Sequence, residues 1–496
     1  MKTLIEEEKV SEELYEELVP RGIQPARLYG LAKVHKKNIP DRPVLSVPGS
    51  AYHNIAEYVA KCLKNVPQCK INASSKEICD RLKDVVSEED EEVISYDVVS
   101  LYTNVPVLEA ITVCADLLYN LPSDQRPVID KDTFILLAKI ASCDVLMSTH
   151  DGFYWQRDGL AMGSPPAPHF ANGWLSQFEN NIKGDAKLYF RYMDDILKEC
   201  KHQQAVQELN DINTLHPNLQ FTEECENEQH DLPVLDMKIH HDHENGTLSS
   251  TWYNKPTDTG LIMNYHALAP KRYKRSVVSG FVYRIYRACS SWENFHTSME
   301  KAKRILEKNQ YPPTFYEPVI RQAVSDILGV SEKQLSTPPA QTTDTMEKKR
   351  IMIQYRGKCS EEYARALHKI NAPCTVVMTL RKLKTVLPSL KAPVEKLIKS
   401  GVVYNITCPG CAACYVGQTD RHMTTRLYEH VHKAGPMKTH ITTVCDTTLT
   451  GDDVEILHST SRGENYLLTL EALYIRERKP TLNTRDECKR KELVIK

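Results

Sequence analysis

Asp97 stands alone as a carboxylate among β-branched and apolar residues in VISYDVVSLYTNVP, residues 93–106. That run has strand character to about Val99, and Asn104 with Pro106 ends it. A strand carboxylate is costly to bury unless it is paired or holds a cation. Further on, LYFRYMDDILKEC (residues 188–200) places adjacent carboxylates, Asp194 and Asp195, between two apolar runs, the pattern of a hairpin. Neighbouring carboxylates repel, and a divalent cation shared with Asp97 relieves both the repulsion and the desolvation. Three aspartates meeting at strand ends suit two-metal phosphoryl transfer.

A second group of reactive side chains lies near the C-terminus. In GVVYNITCPGCAACYVGQTDRHMTTRLYEHVH (residues 401–432) two short apolar strands each carry a tyrosine, and a helix rich in Arg and His follows. Downstream, LLTLEALYIRERKPTLN (residues 467–483) reads as a helix with one acidic residue, Glu471, in its apolar face. Such a glutamate either reaches the surface or ligates a single metal ion, which fits phosphodiester hydrolysis. Cys408, Cys411 and Cys414 recur with two residues between successive members, a spacing suited to a thiolate metal site.

The elements that must carry these residues follow from composition and pattern. The 496 residues are too many for one ordinary core, and 41% hydrophobic with 26% charged residues is a folded composition. Lys plus Arg number 63 against 65 for Asp plus Glu, which excludes a globally basic nucleic-acid binder but not local basic stripes. The most apolar stretch, residues 134–147, contains Lys139 and Asp144 and reads as core rather than a membrane span. An acidic N-terminus without a cleavable apolar region argues against secretion. Fifteen mostly scattered cysteines indicate reduced thiols inside a cell.

Residues 333–350, rich in Pro, Gln, Thr and Ser, read as a linker, and the basic stretch that follows reads as a solvated connector or a nucleic-acid contact. The acidic residues 77–92 read as a solvated helix end or loop. KRYKRSVVSGFVYRIYRACSS (residues 271–291) reads as a basic helix with interleaved aromatics, with Arg284 and Arg287 on one face, able to track a phosphate backbone.

YMDD (residues 192–195) with the upstream SYDVVSLYTNVP resembles the palm of a reverse transcriptase, specifically that of Penelope-like retroelements. LYGLAKVHKKNIPDRPVLS (residues 28–46) resembles the fingers segment of that family, and GLAMGSPPAPHFAN (residues 159–172) the loop and helix after it. DLPVLDMKI (residues 231–239), YNKPTDT (residues 253–259) and the basic helix resemble its post-palm and thumb pattern. The C-terminal unit resembles the GIY-YIG endonuclease that such elements attach, with VVY in place of GIY.

The resemblance implies an α+β multidomain protein. Fingers and palm would span residues 1–240, a helical thumb 241–330, a linker and basic connector 331–400, and a mixed α/β GIY-YIG domain with a zinc-binding insertion 401–496. Asp97, Asp194 and Asp195 would hold two Mg²⁺. Tyr102 would exclude the ribose 2′-hydroxyl. Lys33, with Lys36 as a competing choice, and Arg42 would clamp the incoming triphosphate. Gly163 and Ser164, with Met162, would lie against template and nucleotide; Pro166 and Ala167 depart from the family's Leu and Ser. In the nuclease, Tyr404, Tyr415 with Gly417, Arg426 and Asn483 match motif positions, and Glu471 the ligand of one Mg²⁺. Cys408 and Cys411 with His430 and His440 match a zinc site, Cys414 being a spare or a replacement and His430 either ligand or catalytic group.

The implied activity is RNA-directed DNA synthesis on a nicked target. Its partners would be template RNA, target DNA and deoxynucleoside triphosphates, with no membrane, in the nucleus. Only about two dozen residues precede the fingers segment, fewer than in the family. The alternative is therefore a shortened copy that binds nucleic acid without catalysis. A telomere-maintaining polymerase shares a related palm, and the fused nuclease disfavours it.

Overall fold

The computed structural model describes residues 2–20, 22–34, 38–70, 72–88, 90–201, 204–333, 349–370, 372, 374–380, 390–460 and 464–483. Lys36 and most of the 333–350 linker lie outside the described residues. The architecture is mixed α/β, in two compact units that are each assembled from separated stretches of chain. One comprises residues 71–101 and 177–389, the other 1–70, 102–176 and 390–496.

The first of these units is built on a four-stranded antiparallel sheet. Its strands run, in order, Tyr189–Tyr192, Asp195–Lys201, Glu91–Val98 and Phe221–Glu224. Val93, Ile94, Tyr96 and Val98 on the Asp97 strand are all buried, as the β-branched run requires. Glu91 and Glu92 depart from the solvated-loop reading: both are buried at the start of this strand. Lys187 Nζ stands 3.1 Å from Glu91 Oε2, so the strand keeps its acidic end by pairing it.

A second antiparallel sheet, Thr247–Trp252 beside Met237–Asp242 beside Asp231–Val234, packs into the same core as three long helices, Lys271–Ala288, Trp292–Lys308 and Pro313–Lys333. Val278, Val282 and Ile285, at helical spacing, form the buried stripe of the first helix. Arg284 and Arg287 sit on its exposed side, as the sequence pattern predicts. The basic stretch read as a connector instead contains a β–α–β unit. Strands Lys349–Gln354 and Cys374–Thr379 pair in parallel around the helix Lys358–Lys369. The apolar runs Ile351–Ile353 and Val376–Met378 supply the strand pairing that a solvated linker lacks.

The other unit holds a sheet of order Asp41–Ser46, Ala26–Ala32, Leu146–Ser148 and Phe153–Trp155, together with helices His53–Leu63, Val107–Tyr119, Lys131–Ser142 and Ala167–Leu175. Residues 134–147 cover all but the first turn of the helix Lys131–Ser142 and the start of the strand Leu146–Ser148, with Phe134, Leu137, Ala138 and Ala141 buried. Among the described residues no helix is long and apolar enough to cross a membrane.

Its C-terminal stretch adds a three-stranded antiparallel sheet, Cys414–Thr419, Val402–Thr407 and Val454–Ser459. Helices Met423–His432 and Pro436–Thr443 belong to one core with this sheet, and Glu464–Arg478 packs its Leu467 and Ile475 against Val403 and Val416.

Candidate active sites

The aspartate cluster is set by strand register. Antiparallel pairing puts Asp97 directly opposite Asp195, and Tyr192 pairs with Asp195 across a two-residue turn of Met193 and Asp194. The Val98 N–H donates to the Asp194 carbonyl at 3.1 Å, which ties the turn to the Asp97 strand. The structure thus brings together all three aspartates singled out in the sequence.

The turn is held under constraint. Met193 adopts a left-handed conformation with φ +55°, unusual for a side chain of its size. Its N–H donates to Asn72 Oδ1 at 3.0 Å and its carbonyl accepts from Arg191 at 3.2 Å. Arg191 is itself fully buried and paired with Glu179 at 2.9 Å.

Burial and like charge act together on the cluster. Burial first, then the Asp194 and Asp97 carboxylates, push the Asp195 carboxyl from 3.8 up to about 6, against a smaller opposing pull from Lys255. Because this pKa is raised on folding, the ionised carboxylate is a cost that is fully present above pH 6 and fades as pH falls towards 4. Asp195→Asn should therefore stabilise the metal-free protein at pH 7 by about 1–2 kcal/mol, allowing for solvent screening, with the gain vanishing near pH 4. Thermal unfolding across that pH range checks it; a variant less stable than the parent at pH 7 overturns the cation-seat reading.

The residues expected around the nucleotide fall in the other compact unit. Lys33 and Arg42 occupy the tip of the hairpin formed by Ala26–Ala32 and Asp41–Ser46. Arg42 pairs with Leu31, and the Lys33 N–H donates to the Pro40 carbonyl at 2.9 Å, so strand alternation puts both cations on one face. Tyr102 lies in the short helix Leu101–Asn104, and its carbonyl accepts from the Leu160 N–H at 2.6 Å.

Gly163 has a structural reason of its own. With φ +106° and the Leu45 carbonyl oxygen 2.3 Å from where a Cβ would sit, only glycine lets residues 162–163 lie against the hairpin. The Leu45 N–H donates to the Met162 carbonyl at 2.7 Å and completes that contact. Ser164 is buried beside it, and its hydroxyl has no hydrogen-bond partner among the described residues.

The C-terminal sheet assembles a second polar site. Tyr404 is fully buried on the strand Val402–Thr407, in register with Gly417 on Cys414–Thr419. A Cβ at Gly417 would stand 2.5 Å from the Tyr404 hydroxyl, so that glycine makes room for the phenol. Arg426 Nε donates to the Tyr404 oxygen at 2.9 Å, and the hydroxyl lies 2.7 Å from His430 Nε2. With Arg426 donating, the phenolic proton points to the histidine. Tyr415 packs edge-on against the same imidazole, with ring centroids 5.1 Å apart.

Burial and the adjacent Arg426 hold His430 down at about 4, so it is neutral at pH 7 and able to accept a proton. Burial raises Tyr404 above the ordinary phenol range, Arg426 pulls the other way, and the Glu471 carboxylate adds to the rise. Glu429, the residue before His430, orients the guanidinium: its Oε2 lies 3.2 Å from Arg426 NH1 and 2.7 Å from Arg421 NH2. Asn483 acts as a strand substitute, accepting from the Val416 N–H and donating to its carbonyl, both at 2.8 Å.

Four metal-ligating side chains converge nearby. Cys408, Cys411, His440 and Cys445 place their donor atoms within 4.8 Å of one another. His440 Nε2 lies 3.1 Å from Cys411 Sγ and 3.5 Å from Cys445 Sγ. The Ala413 N–H, then Cys445 and His440, pull the Cys411 thiol down to about 7, favouring the thiolate. Three sulfurs and one imidazole nitrogen are the donor set of a closed tetrahedral zinc site.

This corrects the sequence expectation. His430 is not in the cluster, because its helix turns it onto Tyr404 behind the sheet, and Cys445 takes the fourth place. Cys414 begins a strand, where its N–H donates to the Thr481 hydroxyl oxygen at 3.1 Å, and is also outside the cluster. The overlooked signal was the spacing of Cys445, five residues after His440.

Comparisons with known proteins give partial likenesses. A family model described as the animal helix-turn-helix domain matches residues 261–321, the stretch holding the helices Lys271–Ala288 and Trp292–Lys308. No curated protein sequence matches the chain. Among solved structures, telomerase from Candida albicans in complex with a fragment of telomeric RNA is similar at 11% identity and TM-score 0.42, over 64% of this chain and 59% of that one. The Sicinivirus RNA-dependent RNA polymerase gives 12% and 0.39, over 64% and 71%. That of a human picobirnavirus gives 14% and 0.37, over 62% and 60%. The chain thus spans less than two thirds of the telomerase.

Proposed function

We propose that the chain is a reverse transcriptase of the Penelope-like kind, joined to a GIY-YIG endonuclease that nicks the DNA it extends. The observation that carries the polymerase reading is the register of Asp97 against Asp195, with Asp194 in the intervening turn. Three carboxylates converge on one spot, and burial first, then the two neighbouring carboxylates, raises Asp195. Two Mg²⁺ held there supply activation of a primer 3′-hydroxyl and neutralisation of charge on the departing pyrophosphate. The chain's own part is to fix the carboxylates. Strand pairing sets Asp97 and Asp195, and the Arg191–Glu179 pair with Asn72 braces the turn that presents Asp194. In this reading Lys33 and Arg42 would contact the triphosphate and Tyr102 would be the sugar gate, which would make deoxynucleoside triphosphates the substrates; an RNA template follows from the family resemblance alone.

For the nuclease, Tyr404 supports the reading best, since one buried phenol is bonded to both a guanidinium and a neutral imidazole. His430 accepts a hydrogen bond from the phenol and Arg426 donates to its oxygen, which holds the guanidinium where it would meet the charge of the scissile phosphate. Tyr415 lines the same face, and Glu471 would hold the single Mg²⁺. Zinc in the cluster of Cys408, Cys411, His440 and Cys445 would brace the loop between the two tyrosine strands. Cys445→Ser should lower zinc content by about one equivalent, with Cys414→Ser leaving it unchanged. Unchanged zinc in Cys445→Ser together with loss of one equivalent in His430→Asn would restore the sequence-based set of Cys408, Cys411, His430 and His440.

The deciding experiment is extension of a DNA primer on an RNA template by purified protein with Mg²⁺ and deoxynucleotides. Folded protein that binds the primed template yet adds no nucleotide overturns the polymerase reading in favour of a nucleic-acid-binding protein.

A further inference from the structure

Far along the chain from the aspartates, Glu226, His230 and His243 converge on one point. Glu226 follows the strand Phe221–Glu224, His230 precedes the strand Asp231–Val234, and His243 follows Met237–Asp242. One ligand atom from each lies within 4.8 Å of the others. Glu226 Oε2 stands 3.1 Å from His243 Nε2 and 3.8 Å from His230 Nδ1. A tetrahedral ion with bonds of about 2.0–2.1 Å needs donors roughly 3.4 Å apart, and the two distances bracket that value.

The group is built rather than incidental. The Glu226 side chain is only 5% exposed, and its other oxygen accepts the Val93 N–H at 2.7 Å and faces His241 Nδ1 at 2.9 Å. Both lone-pair directions on that side are therefore occupied, which aims Oε2 at the two remaining imidazoles. His241 is fully buried, stacks on His243 with ring centroids 3.7 Å apart, and its Nε2 has no hydrogen-bond partner among the described residues. His230 adopts a left-handed conformation at φ +58°, uncommon outside glycine but one that histidine tolerates better than most residues. The Asn227 side chain maintains it by accepting the N–H groups of Gln229 and Asp231 at 2.9 and 3.1 Å. That turn is what places the His230 imidazole, its ring centroid 4.4 Å from that of His243, over the carboxylate.

We infer that Glu226, His230 and His243 form a site for one divalent transition-metal ion of the zinc class, separate from the aspartate cluster. Two imidazoles select against Mg²⁺ and Ca²⁺, which prefer oxygen ligands. Three protein ligands leave a fourth position for water. Glu226 also takes the N–H of Val93, on the strand that ends at Asp97, so the ion ties that strand to the neighbouring hairpin.

The test is metal counting on the full chain, stripped with chelator and titrated with zinc alone. The parent should take up two equivalents that excess Mg²⁺ does not displace, one at the cysteine cluster and one here. His230→Asn with His243→Gln should reduce this to one, or weaken the second by at least about 100-fold. Asparagine suits the left-handed turn, so its fold is retained. In a Cys408→Ser, Cys411→Ser background one equivalent should remain and should be lost with the two histidine substitutions. Retention of both equivalents in the histidine variant, or no zinc bound at micromolar concentration in the cysteine variant, overturns the site. The count does not depend on polymerase activity, so it stands or falls apart from the proposed function.

Discussion

Asp194→Asn should reduce RNA-templated deoxynucleotide incorporation by about 10³-fold or more, the equivalent of some 4 kcal/mol of transition-state stabilisation. The substitution keeps shape and removes one of three charges. Asp194 sits in a turn whose backbone is held from both sides, by Val98 through its carbonyl and by Asn72 and Arg191 through Met193. The fold should therefore survive. Loss of a charge from the cluster relieves Asp195, so the variant should unfold at no lower temperature than the parent in the absence of Mg²⁺. The same protein should nick DNA at the parental rate, because the tyrosine site is built from residues 402–483. Loss of both activities from this one substitution would sink the two-site reading, and full incorporation would remove the aspartates from the chemistry.

Tyr404→Phe should lower DNA nicking by about 10²–10³-fold while leaving primer extension unchanged. Phenylalanine keeps the buried ring and removes only the oxygen that Arg426 and His430 share at 2.9 and 2.7 Å. It also strands a buried guanidinium nitrogen and an imidazole, so a stability loss of about 1–2 kcal/mol accompanies it. A purely structural role predicts that loss with normal nicking in the folded variant. The pH–rate profile separates the cases further. His430 is held near 4 by burial and Arg426, so it loses its proton-accepting form only in strong acid. Nicking should stay insensitive to the usual histidine range, and an inflection near 6.5 would show that His430 is not the group beside Tyr404.

Local order was readable where neighbours in sequence are neighbours in space. The β-branched run around Asp97 and the YMDD turn need only residues a few positions apart, and both elements form as their patterns predict. The basic helix 271–291 declared its faces through the spacing of Val278, Val282 and Ile285. Where pairing partners lie far along the chain, pattern was a poorer guide. Glu91 and Glu92 look like a solvated acidic run until Lys187 and the strand Asp195–Lys201 are placed beside them. The stretch read as a connector folds because two apolar triplets separated by a helix pair in parallel, a contact that no window of sequence contains.

The candidate sites divide in the same way. Residue type and spacing alone singled out Asp97, Asp194 and Asp195 as carboxylates that would share cations, and Cys408 and Cys411 as the start of a thiolate cluster. Only the tertiary structure decided that Cys445 rather than His430 completes that cluster, since helix periodicity says which residues share a face but not what the face meets. It likewise decided that Gly163 and Gly417 are glycines to admit the Leu45 carbonyl and the Tyr404 hydroxyl, and that Glu226 gathers His230 and His243 from two different loops. Short-range spacing is encoded by backbone geometry, whereas convergence of distant side chains is set by sheet register and core packing, which depend on the whole chain at once.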